Sequence, residues 1–143
     1  MGPAVFADTA FWIALASLRD QYHSRALAWS QFLVRNEWAI ITTEAVLWEW
    51  LNALSHPSTR GQAAEGYRRC HQDAHVEVVG FDPDLVQASV RLYESRPDKS
   101  WSLTDCSAFV VMQQHQITDA LTTDHDFHQA GFRALLLEEP PTA

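Results

Sequence analysis

The chain has 143 residues, 47 % hydrophobic and 20 % charged, with a formal net charge of −8. That balance fits one globular domain, able to bury about two-thirds of its unfolded surface, and excludes a disordered chain. With only 10 lysines and arginines, binding to phosphate backbones through bulk charge is disfavoured, so a nucleic-acid ligand would need a local basic patch, a metal ion or a partner chain.

The densest basic cluster is Arg60, Arg68 and Arg69, and it is small. No apolar run approaches the ~18 residues of a membrane span. The N-terminus carries no basic segment ahead of a small-residue cleavage site, so the expected compartment is the cytoplasm. Cys70 and Cys106 have neither a close nor a metal-type spacing and read as two reduced thiols.

In chain order, Ala4–Ala7 predicts a first strand, which ends on Asp8 inside the stretch PAVFADTAFW. A carboxylate beside buried surface costs several kcal/mol, on the order of a lost charge solvation, unless it caps a helix or has a chemical partner. Ser24–Val34, with Leu27, Phe32 and Leu33 among polar positions, predicts a helix, and Trp38–Thr42 a second strand. Thr43–Leu54 sets Val46, Leu47, Trp50, Leu51 and Leu54 at helical spacings, and Thr59–Asp73 is a more polar helix.

Val76–Phe81 reads as a third strand. The helix Pro83–Ser95 opens on Asp82-Pro83, an N-cap followed by proline. Ser102-Leu103-Thr104-Asp105 has capping-box spacing ahead of Phe109, Val110 and Met112. Ala120–Thr122 and Arg133–Leu137 complete five strands, and Glu138–Ala143, with Pro140-Pro141, is a tail with no drive to fold. Short apolar strands alternating with helices predict an α/β sandwich around a parallel sheet, in a single domain over residues 1–143.

Four acidic residues share one address in such a fold. Asp8 and Asp124 each follow a strand, Asp105 lies in the first turn of a helix, and Glu49 lies mid-helix. Singly, each has a plain reading: a cap for Asp8 or Asp124, a helix-terminus charge for Asp105, a solvated position for Glu49. Together they fit the crevice beyond the carboxyl ends of the strands where strand order reverses. Converging carboxylates raise one another's pKa, and a divalent cation removes that conflict. An all-oxygen donor set selects Mg²⁺ or Mn²⁺, ions that serve phosphate chemistry. His125 and His128 would suit a softer ion such as Zn²⁺, against the simpler reading of exposed loop imidazoles.

Glu44 lies in the first turn of its helix, where a dipole role suffices. Asp126, two residues past Asp124, is a further candidate that would reach a metal through water. Trp48 and Trp50 point to opposite sides of one helix. Trp12 and Trp101 are the tryptophans nearest the acidic positions that would stack on nucleic-acid bases if exposed, with burial the simpler reading. Five ungrouped glycines form no phosphate loop, and no G-x-S-x-G elbow is present.

The stretches FADTAFWIAL, TTEAVLWEWLNAL and SLTDCSAFVVMQQHQITDALTTDHDFHQAGF resemble PIN-domain proteins, and more closely the toxin ribonucleases of VapC-like toxin–antitoxin pairs. The likeness runs from Phe6 to about Leu137, and is most specific in Thr104-Asp105, Leu121-Thr122, Asp124-x-x-Phe127 and Ala130-Gly131-Phe132. It implies a three-layer α/β/α sandwich with a five-stranded parallel sheet in the order 3-2-1-4-5. It further implies a Mg²⁺- or Mn²⁺-dependent endoribonuclease whose metal-binding, catalytic acids are Asp8, Glu49, Asp105 and Asp124. The V-L-x-E-x-x-N-x-L register favours Glu49 over Glu44, and Thr9 is the small polar residue after the first aspartate.

The implied partners are an RNA substrate, a cognate antitoxin whose basic segment would suit the charge of −8, and a second copy of the chain, for which the tryptophan-rich helix is suited. The alternatives are a PIN-fold RNA-binding or structural protein without catalysis, and a metal-dependent phosphohydrolase. A haloacid dehalogenase-like enzyme would need a second aspartate where Ala10 stands. A receiver domain would need an acidic pair ending the first strand and a lysine after a late one, whereas the only lysine is Lys99.

Overall fold

The computed structural model describes residues 3–142. In chain order they form β1 (Ala4–Ala7), α1 (Thr9–Ala16), α2 (His23–Arg35), β2 (Ala39–Thr43), α3 (Glu44–Ala53), α4 (Arg60–Gln72), β3 (Val76–Val79) and α5 (Pro83–Ser95). Then come α6 (Leu103–Gln114), β4 (Asp119–Leu121), α7 (His125–Gln129), β5 (Arg133–Ala134) and a 3₁₀ turn at Leu135–Leu137. The five strands pair in parallel in the order β3-β2-β1-β4-β5. From β1 to β3 the chain steps toward one edge through α1–α4, and from β3 onward it returns through α5–α7. Right-handed crossovers therefore place the two helix groups on opposite faces, which gives the three-layer sandwich and puts the reversal between β1 and β4.

Val5, Phe6 and Ala7 are wholly buried, as a central strand covered on both faces must be. Phe109 on α6 sits at the middle of an aromatic cluster, 4.9 Å from Phe127 on α7, 5.0 Å from Trp101 and 5.6 Å from Phe132. Phe127 also reaches Phe6 on β1 at 6.3 Å. These contacts seat α6 and α7 against the sheet, and so set where the acidic residues of both helices point.

Some elements differ from those the sequence predicts. Helix α1 has no sequence signal because Thr9, Phe11, Trp12 and Ala14 are all buried, leaving no polar face to mark a helical period. Helix α7, at five residues, is too short to show one. β3 stops at Val79, and after β5 the chain turns into a 3₁₀ turn at Leu135–Leu137 where a longer strand is predicted.

The start of the expected tail is tied down. Trp29 Nε1 donates to the Glu138 carbonyl at 2.9 Å, Arg133 pairs with Glu138, and Arg25 pairs with Glu139. Ala143 lies outside the described residues. Trp12 and Trp101 are core residues at 8 % and 7 % exposure, so neither offers a face for base stacking. Trp50 is buried and Trp48 is 56 % exposed, on opposite sides of α3. Cys70 and Cys106 are buried free thiols, and burial raises the pKa of both. Among the described residues no helix is long and apolar enough to cross a membrane.

The α3–α4 contact is close enough to require glycine. A Cβ at Gly66 would collide with the Trp50 ring, which the core holds in place. Gly66→Ala gains up to about 1 kcal/mol of helix propensity, but the overpacking costs about 1–3 kcal/mol. The variant is expected to melt a few degrees below the wild type by circular dichroism, and a higher melting temperature would show that the ring moves aside freely.

Candidate functional site

Asp8 stands between β1 and α1 with extended backbone, φ −88° and ψ 168°, but its side chain makes no capping hydrogen bond. Its Oδ2 accepts instead from the Thr122 hydroxyl at 2.8 Å. That hydroxyl oxygen also accepts the Asp124 N–H at 3.1 Å, and the Asp8 N–H donates to the Leu121 carbonyl at 3.3 Å. Fully buried Thr122 thus joins the ends of β1 and β4. Burial pushes the Asp8 carboxyl up to about 7, against the Thr122 hydrogen bond, and the charges of Asp105 and Glu49 push the same way.

Asp105 and Asp124 are helix caps and members of the acidic group at once. Ser102 and Asp105 form a reciprocal capping box, with Ser102 N–H donating to Asp105 Oδ2 at 3.1 Å and Asp105 N–H donating to Ser102 Oγ at 3.0 Å. Asp124 caps α7, its Oδ1 accepting the Asp126 N–H at 2.9 Å. Each cap uses one carboxylate oxygen. One oxygen from each of Asp105, Asp124 and Asp126 lies within 4.8 Å of the others. Burial, with the charges of Asp124 and Asp126, lifts Asp105 to about 6. Asp126 is also raised, by its burial and by Asp124.

The two glutamates of α3 part company. Glu44 accepts from Tyr67 Oη at 3.0 Å and meets His71 Nε2 at 2.6 Å, both on α4. Glu49 is exposed one turn further on, and its charge reaches Asp8. Thr9 turns its hydroxyl toward the Val46 carbonyl, at the 3.5 Å limit of a hydrogen bond, and so faces α3 rather than the carboxylates.

The sequence puts Asp8, Asp105 and Asp124 at the centre. In the structure the tightest set is Asp105, Asp124 and Asp126, with Asp8 attached through Thr122. Among the described residues no histidine gathers with them, His125 and His128 included. Thr122 has one sequence signal, a β-branched hydroxyl at a strand end two residues before an aspartate. Asp126 has none beyond proximity, because the short α7 that fixes it is invisible to periodicity. Oxygen-only donors, part-buried, with Asp8, Asp105 and Asp126 held above their ordinary carboxylate range, fit a hard divalent cation.

A parallel α/β/α sandwich with a carboxylate cluster at its strand-order reversal defines a class of domain built around an acidic, oxygen-lined centre. The chain belongs to the PIN domain family, which it matches over residues 5–133.

Several solved structures share the fold. VapC20 of Mycobacterium tuberculosis, described as a sarcin–ricin loop cleaving toxin, is 27 % identical, with a TM-score of 0.77 over 90 % of this chain and 95 % of that one. VapBC2 from Rickettsia felis, bound to a DNA fragment from its promoter, is 11 % identical, with a TM-score of 0.68 over 92 % and 96 %. FitAcB from Neisseria gonorrhoeae is 16 % identical, with a TM-score of 0.60 over 91 % and 94 %. Comparison with curated proteins finds no match.

The Asp8 carboxyl makes metal-free stability depend on pH. Its ordinary value of 3.8 rises to about 7 in the folded state. Between those values the native chain keeps a proton that the unfolded chain has lost, so stability falls as pH rises from about 4 to about 7. Asp8→Asn removes that loss. In chelator at pH 8 it is expected to melt about 5 °C above the wild type, with the gap closing near pH 4. Equal melting temperatures at pH 8 would show that Asp8 is not held up by its surroundings.

Proposed function

We propose that the chain is a Mg²⁺- or Mn²⁺-dependent endoribonuclease, the toxin of a type II toxin–antitoxin pair. The observation that carries this reading is the carboxylate cluster at the β1–β4 reversal of a PIN-family sheet. Asp8, Asp105, Asp124 and Asp126 would hold the ion, with Glu49 completing the set directly or through water. When bound, a divalent cation supplies activation of water and neutralises charge that builds on a phosphate under attack.

The chain's own residues do the positioning. Thr122 fixes the Asp8 carboxylate relative to Asp124, and the Ser102 capping box fixes one Asp105 oxygen. The α6 N-terminus favours the negative charge of Asp105 in its first turn. The likeness to VapC20, described as a sarcin–ricin loop cleaving toxin, supports RNA as substrate.

A partner also fits. A groove of about 410 Å³ runs beside Glu49 and Thr104, with Trp48, Phe81, Val86 and Leu103 on its walls. Trp48 and Phe81 are both more than half exposed and pack edge to face at 5.4 Å. An antitoxin segment with an apolar stripe and a terminal cation would fill this groove and set its charge against the carboxylates, as the chain's charge of −8 favours.

The test is cleavage of an RNA carrying the sarcin–ricin loop, in Mg²⁺ or Mn²⁺. Asp105→Asn is expected to lower kcat at least about 100-fold, as loss of a group fixed in the reacting centre does, and chelation to abolish cleavage. Undiminished cleavage by that variant would sink the assignment of the site. RNA binding without cleavage by the wild type would favour the non-catalytic alternative.

A further inference from the structure

We propose that the loop from Arg96 to Ser102 grips the RNA backbone beside the cleaved bond, with Lys99 as the cation that holds a flanking phosphate. This rests on the ribonuclease reading and extends it to how an acidic protein retains a polyanion. The acidic centre, once neutralised, serves one phosphate. The phosphates on either side meet a chain of net charge −8, so a cation must stand close by.

Lys99 is the only lysine in the chain, half-buried on the loop between α5 and α6. The loop runs straight into Ser102 and the helix that carries Asp105. Lys99 lines the same groove as Ser102, whose N–H is held by Asp105 Oδ2, so it stands on the flank of the α6 N-terminus. Arg25, Arg68, Arg69, Arg96 and Arg133 each face a glutamate or aspartate; among the described residues Arg19, Arg35, Arg60, Arg91 and Lys99 have no carboxylate within ion-pair distance, and of these Lys99 lines the groove at the α6 N-terminus. The basic cluster read from the sequence is not this one, since Arg68 and Arg69 both pair with Glu65 on α4 and Arg60 donates to the Ser55 carbonyl.

The loop is fixed before any ligand arrives. Arg96 holds Asp98 through two hydrogen bonds, at 3.0 and 2.9 Å. The Arg96 guanidinium lies 5.2 Å from the Trp101 ring centroid and the Lys99 ammonium 5.9 Å from the same ring. Trp101 is itself anchored on Phe109, and its indole N–H is buried without a partner. Arg96, Lys99, Ser100, Trp101 and Ser102 line one open groove of about 770 Å³. Asp98 neutralises Arg96, while Lys99 keeps a free charge on a held stem. A contact of this kind reads no base, so its effect is independent of sequence.

The experiment compares wild type, Lys99→Ala and Lys99→Arg on the same RNA, in Mg²⁺ over a range of KCl. Loss of one phosphate contact is expected to raise KM about tenfold with kcat within about twofold, and to reduce the slope of log KM against log salt by about 0.7. Lys99→Arg is expected to restore both. Binding to non-cleaving Asp105→Asn, with and without Lys99→Ala, reads the same contact by anisotropy without turnover. Unchanged KM, affinity and salt slope in Lys99→Ala, with the wild type cleaving, would overturn the grip alone. Failure of the wild type to bind or cleave RNA would overturn the ribonuclease reading and the grip with it.

Discussion

The Thr122 hydroxyl, donating to Asp8 at 2.8 Å and accepting the Asp124 N–H at 3.1 Å, is the contact on which the rest of the site depends. Parallel neighbours end on the same side of a sheet, so β1 and β4 deliver two aspartates to one place. They do not by themselves determine how the carboxylates face. A hydroxyl can donate one hydrogen bond and also accept, and here it does both at a position without solvent access. Valine would keep the shape and lose both bonds, leaving the Asp124 N–H without that acceptor and Asp8 without the Thr122 donor.

The carboxylates around that contact strain against one another. Asp8 is raised to about 7 and Asp105 to about 6, in each case chiefly by burial and further by neighbouring negative charge. The fold limits the conflict by giving Asp105 and Asp124 a second duty as helix caps, so that one oxygen of each is satisfied locally. The remaining oxygens are the source of the instability and, in the proposed ribonuclease, of the chemistry, a trade found where function requires a destabilising arrangement. The aromatic cluster of Phe6, Phe109 and Phe127 holds the two helices against that repulsion.

Much of this was legible in the residues. Apolar four- and five-residue runs between capped helices announce a parallel sheet, and the spacing of Asp8, Asp105 and Asp124 along it points to a single end. What stayed hidden was local. Thr9–Ala16 is apolar on every side, His125–Gln129 is too short for a period, and the path of the Thr122 side chain depends on a strand 114 residues away. Trp101 was ambiguous as a stacking ring until packing on Phe109 buried it. Asp8 and Asp105 illustrate opposite outcomes of one ambiguity: each could cap a helix, and only Asp105 does so.

Charge is distributed to match. Glu49 and the apolar walls at Trp48 and Phe81 line one groove, and Lys99 lines a second that shares Leu103 with it at the α6 N-terminus. The central claim is that a hard divalent cation belongs among the carboxylates. Anomalous diffraction from a crystal soaked in Mn²⁺ at pH 8 tests it most directly. The expected result is a Mn²⁺ peak bounded by Asp105, Asp124 and Asp126 with Asp8 alongside. A map without a peak there, or with the ion on His125 and His128 instead, would contradict it.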